Sequence, residues 1–118
     1  DSLKDTTLTG IEMTKKLLNL KTPPTAIICS LDKYFIGCLQ ECQERGLNTP
    51  KDISIVGYND HDNYLSSQNL TFISHPLTKM GKMAVEILEK IEKGEKPSKL
   101  TKLIEPILNK GKSDGKIN

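Results

Sequence analysis

The chain has little aromatic surface and no long apolar segment. It contains no tryptophan, two phenylalanines and three tyrosines in 118 residues, so its core must be aliphatic. No apolar run approaches the ~20 residues that a membrane-spanning helix needs. The net charge of +2 is too small to indicate nucleic-acid binding by itself. What remains is a globular chain of one-domain size.

Cysteine is scarce, with three residues in apolar surroundings: Cys29, Cys38 and Cys42. An odd number favours a reducing cytoplasm over a disulfide framework. Cys38 and Cys42 have the spacing of one helix face and could bind a metal, but buried packing explains the same spacing and is favoured. The chain begins at Asp1 without methionine, which we interpret as processing or as part of a longer protein.

Motifs for catalysis are missing. Neither His-Glu-x-x-His nor Gly-x-Ser-x-Gly occurs, and Gly111-Lys112-Ser113 lacks the glycine that a phosphate-binding loop requires five residues earlier. Asp60-His61-Asp62 could ligate a metal, but adjacent loop residues rarely point at one ion, so a solvated loop is favoured. We therefore expect no enzyme activity, no catalytic residue, no cofactor and no metal.

Hydrophobic periodicity predicts alternating helices and strands. The predicted helices cover residues 6–20, 32–45 and 78–93; the predicted strands cover 25–29, 53–57 and 70–74, with one or two edge strands in 100–108. Short connections imply right-handed crossovers and a parallel sheet. Strand 25–29 is continuously apolar, which is typical of a sheet covered on both faces. The predicted fold class is α/β.

Polar side chains follow two of the predicted strands. Asp32 comes after strand 25–29, and Asn59 comes after strand 53–57. Ligands bind at the carboxyl ends of strands in open α/β sheets, so both residues are candidate ligand contacts. The alternatives are a turn role for Asn59 and a helix N-cap role for Asp32.

A series of segments in order resembles the C-terminal half of the effector-binding core in the LacI/GalR repressor family. The similarity covers about Thr6 to Leu108. The segments are Pro24-Thr25-Ala26-Ile27, Gly37, Glu44-Arg45-Gly46-Leu47 before Pro50, Asp52 to Asp60, Leu70-Thr71, Pro76 before Met80-Gly81, then Leu88, Gly94 and Pro97. The resemblance implies a Rossmann-like lobe of the type I periplasmic-binding-protein fold. The two-lobed fold would be incomplete here, since the chain would hold only one lobe and the crossover segments.

The resemblance also implies a function. Such regulators carry a DNA-binding head and two lobes that close on a small ligand, often a sugar or nucleobase, and they usually act as dimers. We expect a cytoplasmic bacterial regulator whose ligand, a sugar in the favoured case, changes lobe closure and thereby operator binding. DNA would be bound only through a domain that this chain lacks. Asp32 and Asn59 would be hydrogen-bonding ligand contacts, with Thr6 a weaker third that could equally cap its helix.

This sequence departs from the family pattern at three places. Leu31-Asp32 stands where Asn-Asp is usual, Asn59-Asp60 replaces Asp-Asp, and Gly111-Lys112-Ser113 replaces Arg-x-Ser. Asn59 can still hydrogen-bond a hydroxyl, but without charge. The fold prediction is unaffected, whereas the identity of the ligand stays open.

The resemblance makes residues 1–118 a single piece of the C-terminal lobe, with residues 71–93 crossing over to an absent N-terminal lobe. Residues 110–118 are expected to be a disordered tail. The predicted helix 78–93 has one apolar stripe, which we expect to dock on the same lobe or to exchange with a second copy in a homodimer. The stripe consists of Met80, Met83, Ala84, Ile87, Leu88 and Ile91.

Two other functions fit the same patterns. One is a secreted periplasmic sugar-binding protein for transport, of the same fold. The other is a free-standing flavodoxin-like or receiver-like domain, against which the crossover helix and the missing cofactor loop both count. The operator, the sign of regulation and the type of DNA-binding head, helix-turn-helix or winged helix, stay open.

Overall fold

The structure, a computed structural model, describes residues 6–60, 63–96 and 101–116. Its elements are α1 (Thr6–Leu18), β1 (Ala26–Ile28), α2 (Asp32–Glu44), β2 (Ser54–Tyr58), α3 (Tyr64–Ser67), β3 (Phe72–Ser74), α4 (Leu77–Glu92) and β4 (Ile107–Asn109). The strands form one sheet in the order β1-β2-β3-β4. β1 pairs with β2 in parallel, and β2 pairs with β3 in parallel. The predicted α/β class with a parallel sheet is confirmed.

The chain divides into two compact units, which are described separately. The first comprises residues up to 74 and from 108 onward, and the second comprises residues 75–107. The first unit holds the buried core, formed by β1, α2, β2 and the residues that follow them. The core side chains are Ile27, Cys29, Phe35, Cys38, Cys42, Ile53, Ile55, Leu65 and Phe72.

Helices α1 and α2 pack against each other through glycines. A Cβ on Gly37 would lie 2.8 Å from the backbone nitrogen of Ile11, and a Cβ on Gly10 would lie 2.7 Å from the carbonyl oxygen of Tyr34. No side chain fits at either distance, so hydrogen at these positions lets the two backbones touch. Gly37, which carried part of the family resemblance, therefore has a packing role.

A buried carboxylate also joins the two helices. Glu41 of α2 is only 2% exposed, and its Oε1 accepts a 2.6 Å hydrogen bond from Arg45 Nε. Lys15 of α1 places its Nζ 3.6 Å from Glu41 Oε2. Arg45 donates a further 2.9 Å bond to Asn19 Oδ1. A charge buried at a helix interface needs opposite charges nearby. Lys15 and Arg45 supply them, although among the described residues Glu41 Oε2 is paired only through the ion pair with Lys15 and accepts no hydrogen bond.

The prediction of a sheet covered on both faces is wrong for β1 in the part of the chain that the structure describes. Ile27 is buried, whereas its neighbour Ile28 is 72% exposed. Successive side chains of a strand point to opposite faces, and the core lies on one of them. An apolar run is compatible with burial on both faces of a strand. It does not ensure that another element of the same chain packs on the second face.

The carboxyl-terminal segment differs from the predicted disordered tail. Ser113 is 1% exposed, and its Oγ donates a 2.6 Å bond to Ile55 O while accepting a 2.9 Å bond from Thr71 N. Ile55 N donates 2.7 Å to Ser113 O. Ser113 thus joins Ile55 of β2 to Thr71, the residue before β3. The prediction is wrong for residues 110–116 because these bonds come from residues distant in sequence, and residues 117–118 lie outside the described residues.

The second unit consists mainly of α4, which runs from Leu77 to Glu92 and agrees with the predicted helix 78–93. None of its residues is buried. Leu88, in the middle of the apolar stripe, is 60% exposed. None of the described helices is both long enough and apolar enough to cross a bilayer.

Candidate functional site

The candidate site is the edge of the sheet at which β1 and β2 end. The register pairs Ile28 of β1 with Val56 of β2, so the two parallel strands run out on the same side. Asp32 opens α2 after β1, and Asn59 directly follows β2. The structure therefore brings the two sequence-predicted residues to one edge. That they share a ligand stays a prediction.

Asp32 is the first residue of α2 and is 8% exposed. The N-cap position is occupied by Leu31, with extended backbone and no side-chain capping bond, so the predicted cap role of Asp32 is wrong by one position. Asp32 Oδ1 instead accepts a 2.8 Å bond from Lys33 N. The partial positive charge of the helix N-terminus favours a carboxylate there. Asp32 is thus a buried acceptor at the sheet edge.

Asn59 adopts a left-handed backbone with φ of 64°. Asparagine tolerates this conformation better than most residues. Its backbone N–H donates a 2.7 Å bond to Ile73 O of β3, which holds the turn to the neighbouring strand. The turn interpretation thus has direct structural support. Asn59 is half-buried directly after the carboxyl end of β2, and its role as a ligand contact stays a prediction.

Asp60 has a structural role that sequence analysis missed. Its Oδ1 accepts a 2.9 Å bond from Leu65 N, and its Oδ2 accepts a 2.9 Å bond from Ser66 N. Partial burial alone would raise the pKa of this carboxyl, but hydrogen bonds from Ser66, Leu65 and Tyr64 lower the pKa below its usual value. The carboxylate therefore anchors the start of α3 next to Asn59. An acidic residue shortly before a short polar helix was the available signal.

The structure gives no further support for a metal site at Asp60-His61-Asp62. Both oxygens of Asp60 already accept backbone bonds, while His61 and Asp62 lie outside the described residues. Within residues 6–60, 63–96 and 101–116, no group of three His, Cys, Asp or Glu side chains is arranged to hold a metal ion. That the whole chain uses no metal stays a prediction.

Thr6 begins α1 and is half-buried. Its neighbour Thr7 lies against α2, since a Cβ on Gly37 would collide with the carbonyl of Thr7. Gly37 is five residues into α2 from Asp32, a rise of about 7.5 Å. The start of α1 therefore lies beside the first turns of α2. Its role as a third ligand contact stays a prediction. The alternative, that Thr6 caps its helix, is off by one position, because Thr6 is the first residue of α1 and the N-cap position lies outside the described residues.

Comparison with known proteins gives a consistent result. Residues 3–113 match the family described as periplasmic binding protein-like domain. The chain is 39% identical over 80 residues to the HTH-type transcriptional repressor PurR of Glaesserella parasuis, and 40% identical over 81 residues to the ribose operon repressor of Haemophilus influenzae. Each alignment covers 67% of this chain and 24% of the relative, so the chain spans about a quarter of these relatives.

Solved structures agree with the sequence relatives. A LacI transcriptional regulator from a Rhodococcus species is 31% identical with a TM-score of 0.78, and the match covers 92% of this chain and 40% of that one. A dimeric Lac repressor is 27% identical with a TM-score of 0.78, covering 95% and 41%. The architecture described above is therefore found as part of longer regulators.

Proposed function

We propose, from the premise that the chain belongs to the periplasmic binding protein-like domain family, that it is the effector-sensing part of a LacI-type bacterial transcriptional regulator. The predicted resemblance to the effector-binding core of that family is confirmed. The observation that carries the proposal is the family match over residues 3–113, which includes both polar residues at the carboxyl edge of the sheet. In the whole protein, ligand-driven closure of two lobes would modulate operator binding by a domain outside this chain.

The effector we favour is a small sugar. A carboxylate at Asp32 accepts hydrogen bonds from hydroxyls, and an amide at Asn59 both donates and accepts. A pair of neighbouring hydroxyls on a sugar offers the complementary set of donors and acceptors. One relative, at 40% identity, is named a ribose operon repressor, which supports a sugar without identifying it.

The predicted crossover 71–93 is wrong for its first residues, because Phe72–Ser74 form β3 and pair with β2 in the first unit. For the rest, the apolar stripe of α4 supports the proposal that the segment crosses to another lobe. Six apolar side chains in water would forfeit on the order of 10 kcal/mol of burial free energy, comparable to the stability of a domain. No residue of α4 is buried in the described chain. The chain spans 40–41% of the LacI-type structures it resembles, so those proteins contain further surface that could cover such a helix.

The remaining parts of the proposal concern assembly and location. One solved relative is a dimeric Lac repressor, so we propose a homodimer. We also propose a cytoplasmic location and no enzymatic role, because the named relatives are transcriptional repressors.

The experiment uses the full-length protein and a thermal-shift screen with pentoses, hexoses and nucleobases. A sugar should raise the melting temperature, and Asp32→Asn or Asn59→Ala should weaken its binding about tenfold, the cost of one lost hydrogen bond to a ligand. Asp52→Asn is the matched control, because this exposed carboxylate precedes β2 at the opposite end of the strand. If no pentose or hexose stabilises a folded protein, the sugar proposal fails.

A further inference from the structure

The chain passes between its two units at two neighbouring strands. It leaves the first unit after Ser74, the last residue of β3, and returns to it at Leu108, within β4. β3 and β4 are next to each other in the sheet. Both crossings are therefore made side by side, from adjacent strands.

A side-chain hydrogen bond joins the two strands at these crossings. Asn109 Nδ2 donates a 2.8 Å bond to Ser74 Oγ and a longer 3.4 Å bond to Phe72 O. Asn109 and Ser74 are both half-buried, and both belong to the first unit. The Asn109–Ser74 bond thus connects the strand on which the chain leaves the unit to the strand on which it returns.

The backbone holds β3 in place up to the same point. Asn59 N donates a 2.7 Å bond to Ile73 O, which fixes the end of β3 to the residue that follows β2. Ser74 comes next, and its side-chain bond is made to β4 on the opposite side. β3 is therefore anchored on both sides as far as the residue at which the chain leaves the first unit.

Proline lies just beyond this point on both crossings. Pro76 follows Ser74 after one residue, and Pro106 directly precedes β4. Proline has no backbone N–H, so neither residue can donate a bond that would extend the pairing of the two strands. The sequence therefore limits how far backbone pairing can continue past the Asn109–Ser74 bond.

We propose that Asn109 is a positioning residue for lobe closure. By holding Ser74, it keeps the ends of β3 and β4 together, so that the lobes rotate about the connections outside the sheet and not by separation of the strands. The inference rests on the proposed function, because it requires a second lobe that moves. A defined point of rotation allows two discrete arrangements of the lobes, which a ligand can then bias.

Hydrogen exchange in the full-length protein tests the bond itself. Asn109→Ala and Ser74→Ala should each speed the exchange of backbone amides in residues 72–75 and 107–110 about tenfold, the effect of one lost hydrogen bond. The double variant should exchange no faster than either single variant, because the two side chains form one contact. Ser74→Thr, which keeps the hydroxyl, should exchange like the unchanged protein, as should Gln40→Ala, which removes an exposed amide of α2. Additive effects of the two alanine substitutions would overturn the proposal.

The distance between the two units tests whether this bond determines where the lobes rotate. Spin labels at Gln43→Cys in α2 and Lys90→Cys in α4 report that distance in the full-length protein, since both positions are exposed and the native thiols are buried. Without ligand, Asn109→Ala should broaden the distribution of distances, whereas Gln40→Ala should leave it unchanged. The same width in Asn109→Ala as in the unchanged protein would contradict a role in lobe movement.

A last consequence depends on the effector. Separated strands would absorb part of the movement, so Asn109→Ala should reduce the ligand-driven change in operator affinity by about fivefold, at the low end of allosteric coupling. Equal coupling in the variant and the unchanged protein would also overturn the proposal. If no pentose, hexose or nucleobase binds, the proposed function fails. The exchange and distance measurements need no ligand and still decide the role of Asn109.

Discussion

The interface between α1 and α2 and the stripe of α4 are both helical surfaces, yet they have opposite surroundings. At the first, backbones approach so closely that Gly37 has no room for a side chain. At the second, six apolar residues line one face and none is buried. Helix α4, which has the clearest apolar periodicity, is thus the helix whose apolar face is least buried. Periodicity shows that a helix has a face to bury, and only the neighbours decide whether it is buried within the same unit.

The largest change in the free energy of unfolding should follow from adding a methyl group at the α1–α2 contact. Gly37→Ala places a Cβ against the backbone of α1 and should destabilise the fold by about 3 kcal/mol, because backbone cannot move aside as a side chain can. Urea unfolding followed by circular dichroism measures the change.

Gly81→Ala in α4 is the matched control for this substitution. Nothing lies within 4 Å of a Cβ built there, and alanine is a better helix former, so a gain of up to about 1 kcal/mol is expected. Equal losses from the two substitutions would remove the contrast between the two helical surfaces.

A smaller loss should follow from removing the hydroxyl that joins Ile55 to Thr71. Ser113→Ala deletes the 2.6 Å bond to Ile55 O and the 2.9 Å bond from Thr71 N, leaving buried backbone groups unpaired. We expect a loss of about 2 kcal/mol in the free energy of unfolding. Ser67→Ala, an exposed hydroxyl, is the control. A change no larger than in that control would mean that the carboxyl-terminal segment does not stabilise the sheet.

The ionised carboxylate of Asp60, which anchors the turn beside Asn59, should contribute to stability in a way that is lost in acid. The pKa of Asp60 is lowered in the folded state, so its ionised form stabilises the fold above the unfolded pKa of about 3.9. This contribution is lost as the pH falls further, through the folded pKa. Between about pH 6 and 3, the melting temperature of Asp60→Asn should therefore fall less steeply with decreasing pH than that of the unchanged protein. If Glu12→Gln, which removes an exposed carboxylate of α1, flattens the curve as much, the effect is not specific to Asp60.

The smallest change in the free energy of unfolding should come from a substitution in the apolar stripe of α4, when the chain is studied alone. Leu88→Glu changes a residue that is already 60% exposed, so the free energy of unfolding should move by no more than about 0.5 kcal/mol. In the full-length protein the same substitution should weaken lobe packing or dimerisation, as measured by light scattering and unfolding. A large loss in the isolated chain would show that the stripe is covered there after all.

Parts of the candidate site were predictable because they depend on local sequence. Asp32 and Asn59 each follow an apolar run, and parallel strands place their ends together. The anchoring of Asp60 to Leu65 and Ser66 was not predicted, because a four-residue helix has no periodicity to detect. The docking of Ser113 was missed for a different reason: its partners are 42 and 58 residues away, and the segment itself is polar.

The order of residues alone determined the α/β class, the positions of the main helices and strands, and the edge at which polar groups gather. Periodicity and turn chemistry act over a few residues, so the sequence displays them directly. Only the tertiary structure decided that one face of β1 stays exposed, that Glu41 is buried between α1 and α2, and that the carboxyl-terminal segment is bonded to the sheet. Each of these depends on which distant groups come into contact.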